Sequence, residues 1–351
     1  MDPNFSITLF VYSYNHEKYI KEAIKGALNQ DITPYEIIIS DDSSTDNTWQ
    51  IITEESQKYD GIAKLILNRN EQNLGITSHL NKIASMGSGD WFVLCAGDDI
   101  SLPDRLTVLS EAIKKYPEAR FIATGFNVID ENGQFLYYQG FNSIHPYPTG
   151  ATGAWHRSCF DYFGPISEST TAEDVVIPFR ALLKGEVILI NQPTIQYRIH
   201  GQSVSSPLGQ DLIESWNHLI KIKYHLINAC RQRINDMARC SNEECFNICA
   251  DLKNRHTEII KGFQEDITNI TGRLAVMNMT ISGKIKYLFT RGESKHKSFL
   301  YRLKTIIISF GWIRKLIPDR VEERKGSMAE SVKIIRIPDL MKPETGLLIY
   351  L

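Results

Sequence analysis

The sequence predicts an α/β fold in which a mixed, mostly parallel sheet is flanked by helices and followed by a helical region. Three observations predict it. Short apolar runs alternate with segments of helical periodicity up to about residue 130, as in doubly wound sheets. Acidic or polar clusters follow several of these runs. After Pro207 the apolar runs give way to long helical patterns.

Five apolar runs in the first part of the chain are predicted to form strands. Each is short and is followed by turn or cap residues, which favours a buried strand over a helix. The predicted strands cover 6–12, 35–40, 63–67, 91–95 and 121–130.

Helices are predicted between these strands. The polar cluster 41–46 supplies cap residues for one helix. Gly75 begins another, and the Gly-Ser-Gly segment 87–89 ends it. The predicted helices cover 17–28, a stretch from the cap to about residue 59, 75–86 and 103–116. This alternation of strands and helices predicts a largely parallel sheet.

The next part of the chain is less regular. Residues 131–133 read Glu-Asn-Gly, which is typical of a hairpin turn. A stretch rich in glycine, proline and aromatic residues covers 137–164. A helix is predicted at 174–183 and a strand within 186–198.

Long helical patterns cover about 208–234 and 243–276, and Ser241 with Glu244 has the spacing of a capping box. We therefore expect three parts: an α/β domain at 1–206, a helical region at 207–325, and a tail at 326–351 to which no structure is assigned.

Composition limits the function classes. The chain has 351 residues, a formal net charge of −2 and 42% hydrophobic residues, so it can bury a core and carries no overall nucleic-acid-binding charge. Its six cysteines form no CxxC pair or zinc pattern, which predicts a reducing, cytoplasmic location. No signal peptide is recognised, and the apolar stretch 305–313 is too short to span a bilayer.

The stretch 284–325 is basic, with twelve Lys and Arg residues against four Asp and Glu residues. Its segment 299–306 is amphipathic. Two interpretations stay open: peripheral contact with the inner face of the cell membrane, or a helix packed on the α/β domain with a solvated basic face. The helices after Pro207 are also candidates for homo-oligomer contacts.

Two adjacent carboxylates, Asp98 and Asp99, follow the predicted strand 91–95. Ligands of open α/β sheets bind at the carboxyl ends of the strands. Mg²⁺ and Mn²⁺ prefer oxygen ligands and commonly bridge a carboxylate to a substrate phosphate. The pair therefore predicts a divalent metal site. The alternative is a surface turn in which the pair, with Ser101 and Pro103, caps the next helix.

Other polar clusters follow predicted elements of the same sheet. After the first strand the chain reads Tyr-x-Tyr-Asn-x-Glu at 12–17, and after the second Asp-Asp-Ser-Ser-x-Asp at 41–46. Asn-x-Gly follows at 73–75, Glu-Asp at 173–174, and Tyr-Arg-x-His at 197–200. Taken singly, none of these clusters is specific.

Their order resembles that of the family 2 glycosyltransferases, which have the GT-A fold. The resemblance covers about 6–205 and includes Leu-Pro-x-Arg-Leu at 102–106 and Gly-Ala-Trp-x-Arg at 153–157. It implies an inverting transferase of the hexosyl or N-acetylhexosaminyl class. Such an enzyme moves a sugar from a nucleotide-diphosphate sugar to a hydroxyl of a glycan or lipid-linked glycan. The expected donor is a UDP-sugar. The implied setting is bacterial surface polysaccharide biosynthesis.

The resemblance also implies residue roles. Asp42 accepts a hydrogen bond from the imide N–H of the base, although capping by Asp41 and Ser44 is an alternative use of that segment. Tyr12 and Tyr14 contact the uracil or ribose, or pack the sheet edge. The implied nucleotide-binding residues are Tyr12, Tyr14, Glu17, Asp42, Asn73 and Asp98.

Asp99 is the implied direct ligand of Mn²⁺ or Mg²⁺, with Asp98 and His200 as further metal candidates. The preceding residues are Ala96 and Gly97, where many family members carry another Asp. Because of this departure, the geometry of the metal site does not follow from the motif.

Asp174 is the implied catalytic base, which takes a proton from the attacking hydroxyl, and Glu173 is the alternative base. Without the family order, the same two acids would simply begin a helix. Trp155, His156 and Arg198 are candidates for acceptor or phosphate contacts, with core packing an equal alternative for Trp155.

Two other functions compete with the glycosyltransferase interpretation. A nucleotidyltransferase needs a Gly-rich, basic phosphate loop after the first strand, and residues 12–17 are neither. A non-catalytic nucleotide-sugar-binding or assembly module, using the long helices for association, stays open.

Overall fold

The computed structural model describes residues 5–141, 150–169, 173–201, 212–239, 243–277 and 332–335. These residues contain one ten-stranded sheet and eight α-helices. The strands are β1 Ile7–Ser13, β2 Glu36–Asp41, β3 Lys64–Arg69, β4 Trp91–Ala96, β5 Ile100–Ser101, β6 Ala119–Ile129, β7 Phe135–Gln139, β8 Gly153–His156, β9 Glu186–Arg198 and β10 Val332–Ile335. The helices are α1 Ile20–Leu28, α2 Thr48–Ser56, α3 Ile76–Met86, α4 Arg105–Lys115, α5 Ser158–Asp161, α6 Glu173–Lys184, α7 Leu212–Arg239 and α8 Glu243–Met277.

The main path of the sheet has the order β10-β9-β6-β8-β4-β1-β2-β3, with β5 paired to β9 and β7 to β6. Strands β3, β2, β1 and β4 are parallel, as are β6 and β9. Strand β8 runs antiparallel to both of its neighbours, β4 and β6. The predicted mixed α/β sheet with flanking helices is confirmed.

The core explains why the central strands are continuous apolar runs. Strands β1, β2 and β4 are almost entirely buried, as expected for parallel strands covered on both faces. Ile24 of α1 and Leu109 of α4 belong to the same buried cluster as Ile39 of β2 and Val93 of β4. The ring centroids of Phe10 and Phe92 lie 5.2 Å apart. These contacts hold the strand ends in fixed positions.

Some elements were not predicted. The stretch 137–164 contains part of β7, the four-residue strand β8 and α5. Strand β10 lies in the tail to which no structure was assigned, and it pairs with Val187–Ile190 of β9. Short strands like these carry no periodicity of their own, since their partners in the sheet define them. Ser241 of the predicted capping box and the basic stretch 284–325 lie outside the described residues.

The chain divides into two compact units. The first contains the described residues up to 201 together with 228–239, 243–256 and 332–335, and the second contains 212–227 and 257–277. In the second unit Lys223 Nζ lies 2.7 Å from Asp266 Oδ2. Of the helices described, none has the length and apolar character needed to cross a membrane.

The order of the strands reverses at β1. Strand β2 follows it on one side, whereas β4 lies on the other. In the pairing register Ser13 lies opposite Asp41, and Tyr12 lies opposite Ala96. The carboxyl ends of β1, β2 and β4 therefore meet at one edge, which is where open α/β sheets bind ligands.

Candidate functional site

Asp98 lies directly beyond the end of β4 and contacts two imidazoles. Its Oδ2 lies 3.0 Å from His200 Nε2 and 3.9 Å from His16 Nε2. Burial lowers the pKa of His16, although the charge of Asp98 opposes this effect. The edge thus combines an acid from β4 with histidines from the segments after β1 and β9. His16 stands in the Tyr-Asn-His-Glu motif but was not singled out, because only contact with Asp98 distinguishes it.

Asp99 is buried, and its two carboxylate oxygens have different surroundings. Oδ1 accepts a hydrogen bond from the Arg198 backbone N–H at 2.9 Å. Oδ2 has no hydrogen-bond partner among the described residues. Burial and the charge of Asp98 raise the pKa of Asp99 well above its usual range. A buried acceptor without a partner is costly unless a cation or a ligand donor completes it.

A divalent cation fits this donor set. Carboxylate oxygens from Asp98 and Asp99 and the imidazole of His200 are ligand types that Mn²⁺ accepts, and the oxygens also suit Mg²⁺. The described residues hold no ready group of three or more His, Cys, Asp or Glu side chains around one point. A metal here would therefore complete its coordination with substrate and water.

Arg198 was predicted as a phosphate or acceptor candidate, but its donors are engaged within the protein. Its Nε donates to the Asp98 carbonyl oxygen at 3.0 Å and Nη1 to the Glu131 carbonyl oxygen at 3.1 Å, while Nη2 pairs with Glu22. The guanidinium lies 4.9 Å from the centroid of the Tyr19 ring. This placement favours a role in holding the Asp98-Asp99 turn.

Arg105, from the Leu-Pro-x-Arg-Leu motif at 102–106, forms hydrogen bonds on both sides of the same turn. Its side chain is buried, and Nη2 donates to the Leu94 and Ala151 carbonyl oxygens at 2.7 and 3.0 Å. Nη1 donates to Ser101 Oγ at 2.9 Å. Burial lowers the pKa of Arg105 to about 10, so it remains charged near neutral pH.

Asp42 is buried and anchors the loop after β3. Its Oδ1 accepts hydrogen bonds from Asn70 Nδ2 at 2.7 Å and from the Leu74 N–H at 2.9 Å. Its Oδ2 accepts one from the Gly75 N–H at 2.9 Å. Asn73 is exposed and accepts from the same Gly75 N–H through Oδ1 at 3.0 Å. Since a carboxylate has about four acceptor positions, Asp42 keeps capacity for one further donor.

The loops after β1 and β2 are joined by hydrogen bonds. Asn15 and Ser43 have positive φ values of 55° and 62°, a conformation that non-glycine residues adopt rarely and mostly at functional sites. The Asn15 N–H donates to Ser44 Oγ, and the Thr45 N–H donates to Asn15 Oδ1, both at 2.9 Å. Glu17, predicted to bind nucleotide, is exposed and accepts from the Asn47 N–H through Oε2 at 3.1 Å.

Tyr12 lies near the end of β1, opposite Ala96 of β4 in the pairing register. Burial raises the pKa of Tyr12 well above its usual value, and the charges of Glu173, Asp98 and Asp99 raise it further. Its ring makes an edge contact with His79 at 6.2 Å. Tyr14, the second aromatic residue of this segment, is exposed.

The segment 150–152 connects the Asp98-Asp99 turn with the start of α6. Arg105, which also donates to the Leu94 carbonyl oxygen before that turn, donates to the Ala151 carbonyl oxygen at 3.0 Å. A Cβ atom at Gly150 would lie 2.9 Å from Glu173 Oε1.

Glu173 and Asp174 begin α6. Burial and the charge of Asp174 raise the pKa of Glu173 to about 8. Burial raises the pKa of Asp174 to about 6, while backbone N–H groups at the helix start and the charge of Arg233 oppose the increase. Between these values the pair holds one proton. A carboxylate with a pKa near 6 beside a protonated neighbour is suited to general base catalysis near neutral pH.

Trp155 and His156 lie away from this edge. In the register of β4 with β8, Trp155 pairs with Phe92 and His156 with Trp91, at the amino end of β4. Trp155 is 1% exposed and contacts the Phe92 ring edge to face at 6.1 Å. His156 Nδ1 lies 2.8 Å from Ser158 Oγ. This placement favours core packing for Trp155 and gives neither residue a position at the acid pairs.

Comparison with protein families gives these observations a context. The model described as Glycosyl transferase family 2 matches residues 8–171. That span contains β1 to β8 with the Asp98-Asp99 pair and ends just before Glu173. The resemblance indicated by the order of the sequence motifs is confirmed.

Curated relatives match part of the chain. The putative glycosyltransferase EpsE of Bacillus subtilis is 32% identical over 133 residues, which are 38% of this chain and 47% of that protein. Chondroitin synthase of Escherichia coli is 29% identical over 136 residues, which are 39% of this chain and 19% of that protein. The chain spans less than half the length of these relatives.

Among solved structures, S. aureus TarS 1–349 in complex with UDP aligns over 92% of this chain and 95% of that chain, with a TM-score of 0.51 and 16% identity. The complex of TarS 1–349 with UDP-GlcNAc gives a TM-score of 0.50 and 17% identity. Likeness at this identity concerns the fold, and the predicted GT-A fold is confirmed.

Gly97→Ala tests the close approach behind Asp98. A Cβ atom at Gly97 would lie 2.7 Å from His16 Nδ1 and 2.8 Å from Ser13 Cβ. We expect His16 and Asp98 to be displaced, the stability to fall by about 1–3 kcal/mol, and UDP affinity in the presence of Mn²⁺ to fall at least about tenfold, which is about 1.4 kcal/mol. Thermal unfolding measures the stability, and calorimetric titration measures the UDP affinity. Gly262→Ala is the control, because a Cβ there meets no atom within 4 Å; unchanged UDP affinity in Gly97→Ala would contradict the prediction.

Glu173→Gln tests the cost of burying the second acid pair. The folded-state pKa of about 8 lies above the value of about 4.3 for an unfolded glutamate. The folded state therefore holds a proton that the unfolded state releases, and stability falls as pH rises between these values. We expect the unfolding temperature of Glu173→Gln to exceed that of wild type increasingly from pH 4 to 8. Glu168→Gln, at an exposed position, should show no such trend, and parallel pH curves for Glu173→Gln and wild type would refute the prediction.

Proposed function

Because residues 8–171 of this chain match the family 2 glycosyltransferase model, we propose that the protein is an inverting, metal-dependent glycosyltransferase. It transfers a sugar from a nucleotide-diphosphate sugar to a hydroxyl of a glycan or lipid-linked glycan. One observation carries the proposal. Arg105, which braces the Asp98-Asp99 turn through the Leu94 carbonyl oxygen, also donates to Ala151, and the neighbouring Gly150 lies against Glu173. This link supports a metal-binding pair, Asp98-Asp99, and a base-forming pair, Glu173-Asp174, at one site.

The reaction assigned to the α6 pair is a single displacement. The Asp174 carboxylate accepts the proton of the acceptor hydroxyl as its oxygen forms a bond to the anomeric carbon of the donor sugar. The bond between that carbon and the diphosphate oxygen breaks, and the nucleoside diphosphate leaves with the electron pair. Attack from the face opposite the leaving group inverts the anomeric centre. Glu173, with its pKa of about 8, stays protonated near neutral pH and leaves Asp174 as the base.

Asp98 and Asp99 are assigned to the binding of the donor diphosphate through a metal ion. Asp99, Asp98 and His200 would hold Mn²⁺ or Mg²⁺, which when bound neutralises the charge of the leaving diphosphate. Arg198 and Arg105 hold the turn on which the two acids stand, through backbone carbonyls on either side of it. Asp99 Oδ2 has no hydrogen-bond partner in the part of the chain that the structure describes, which supports this assignment.

We assign the uracil base to the part of the sheet edge that carries Tyr12 and the loop anchored by Asp42. The remaining acceptor capacity of Asp42 suits an imide N–H, which uracil offers. The TarS structures contain UDP and UDP-GlcNAc, which supports a UDP-sugar as the donor of this chain. The relatives named chondroitin synthase and hyaluronan synthase support a polysaccharide product, and a cytoplasmic or membrane-peripheral setting completes the proposal.

A non-catalytic nucleotide-sugar-binding module is the second candidate, because Asp98, Asp99 and His200 could serve nucleotide-sugar binding without catalysis. It predicts donor binding without turnover. The buried acid pair of α6 favours catalysis, because two adjacent desolvated carboxylates destabilise a fold that needs no base.

Metal dependence is tested with Asp99→Asn. We expect wild type to release UDP from a UDP-sugar in the presence of Mn²⁺. The rate of release should fall at least about tenfold when EDTA removes the metal, since a diphosphate whose charge is not neutralised is a poorer leaving group. Asp99→Asn should need much more Mn²⁺ for half-maximal rate. Steady-state UDP release across Mn²⁺ concentrations measures this, with Asp104→Asn near the same turn as control. An unchanged metal requirement in Asp99→Asn would remove the residue from the proposed site.

The base is tested with Asp174→Asn. Asparagine keeps the size of the side chain but cannot accept the proton, so we expect transfer to fall by about 10²–10⁴-fold with UDP affinity within about twofold of wild type. Asp161→Asn, on the surface beside Arg157, is the control. Transfer near the wild-type rate would exclude Asp174 as the base. Binding of UDP-sugars by wild type without turnover on any hydroxyl acceptor, or by hydrolysis, would favour the binding module.

A further inference from the structure

Two buried arginines connect α6 with the part of α7 that belongs to the same compact unit. Arg180 of α6 forms a two-point ion pair with Asp236 of α7, with Nε to Oδ2 at 2.8 Å and Nη2 to Oδ1 at 3.2 Å. Arg233, one turn earlier on α7, donates from Nη2 to the Val175 carbonyl oxygen at 2.6 Å. Both guanidinium groups are fully buried. The second contact holds the first turn of α6, one residue after Asp174.

Arg233 has a defined position relative to the acids. Its guanidinium lies 5.0 Å from the centroid of the Phe179 ring, so packing on an aromatic face and a backbone hydrogen bond both orient it. Burial lowers its pKa to about 10, and the charges of Cys230, Asp174 and Asp236 oppose that decrease. Arg233 is therefore a cation near neutral pH, buried beside the first turn of α6.

The other charged or titratable groups around it have separate roles. Asp236 is paired with Arg180. His256 of α8 donates its Nδ1–H to the Leu252 carbonyl oxygen, and burial and the charge of Arg233 lower its pKa to about 4, so it is neutral near pH 7. On α6 itself, Glu173 holds a proton until about pH 8. Arg233 is thus the positive charge from α7 that acts on Asp174.

We propose that Arg233 is a positioning residue for the transfer reaction: it fixes the first turn of α6 and stabilises the ionised carboxylate of Asp174. The inference rests on the proposed function, because it assigns Arg233 a part in base catalysis. Residue 233 lies outside the span that the family model matches. The helical part of the chain therefore supplies a component of the active site rather than serving only for assembly.

The physical argument depends on the cost of burial. An isolated guanidinium in a protein interior is expensive, and so is an isolated carboxylate. Arg180 and Asp236 already join the two helices, so a second buried cation is unnecessary for their attachment. Next to Asp174 it has a specific effect: it favours the anionic form, which burial and the neighbouring Glu173 disfavour.

Arg233→Met is the principal test, because methionine keeps an apolar stem and removes the charge. The pH dependence of kcat/KM for transfer is expected to show its acid limb shifted upward by about one unit. The rate should then be about threefold below wild type near pH 6.5, nearly tenfold below it at about pH 5, and largely recovered at pH 8.5. UDP affinity should remain within about twofold, because the nucleotide lies at the β1 and β2 ends. An acid limb identical to that of wild type overturns the proposal.

Arg233→Lys and Arg180→Lys are the controls. Arg233→Lys retains a positive charge and is expected to keep its acid limb within a few tenths of a unit of wild type. Arg180→Lys weakens the ion pair with Asp236 and should lower the unfolding temperature without moving the limb. A shift in Arg180→Lys equal to that in Arg233→Met would show general loosening of α6 and contradict the assignment. If Arg233→Met does not fold, Arg233→Gln, which keeps a donor for the Val175 carbonyl, replaces it.

A second readout needs no turnover. The difference in unfolding temperature between each protein and its Asp174→Asn derivative reports the titration of Asp174. The folded-state pKa of about 6 exceeds the unfolded value of about 3.9, so the carboxylate destabilises the fold progressively as pH rises between these values. In wild type the difference should level off near pH 6, and in Arg233→Met it should continue to grow to about pH 7.

The two readouts separate the two hypotheses. If wild type transfers no sugar but the unfolding curves shift as expected, the proposed function fails and the electrostatic role of Arg233 stands. If wild type transfers sugar and neither the acid limb nor the unfolding curves respond to Arg233→Met, the glycosyltransferase assignment stands and the role of Arg233 is refuted.

Discussion

Two pairs of adjacent carboxylates, Asp98-Asp99 after β4 and Glu173-Asp174 at the start of α6, impose the constraint that organises this structure. Asp99 and Glu173 are buried, and each has a second acid beside it in the chain. Like charges held close together in a low dielectric oppose ionisation, so the arrangement is unfavourable for stability in itself. The segment 150–152 nevertheless connects the two pairs: Arg105 donates to the Leu94 and Ala151 carbonyl oxygens, and a Cβ atom at Gly150 would lie 2.9 Å from Glu173 Oε1. A site that tolerates this cost has a use for groups whose protonation states differ from those in water.

Three buried arginines answer this constraint in the same way. Arg105 donates to the carbonyl oxygens of Leu94 and Ala151, Arg198 to that of Asp98, and Arg233 to that of Val175. In each case backbone carbonyls fix a guanidinium next to a turn that carries an acid. The hydrogen bonds fix the position of each guanidinium, while its positive charge acts on a carboxylate through space. Position and ionisation of the acids are therefore controlled by the same side chains.

The sequence determined the central elements well, because β1, β2 and β4 are continuous apolar runs whose ends carry the polar clusters. Pairing between distant segments was not accessible in the same way. The register of β8 puts Trp155 and His156 at the amino end of β4, and no local pattern encodes that register. Arg233 stands in an amphipathic helix, where a buried arginine and a solvated one look alike in sequence. Its importance follows from what it contacts: Val175, Phe179 and the field at Asp174.

Strand β10 has a consequence for how the chain tolerates shortening. It covers the outer side of β9 along Val187–Ile190, whose side chains are buried. Without it, four consecutive backbone positions of an apolar strand would lie open at the margin of the sheet, where another copy could add a strand. By occupying this margin, residues 332–335 block the backbone of β9 from pairing with a strand of another copy.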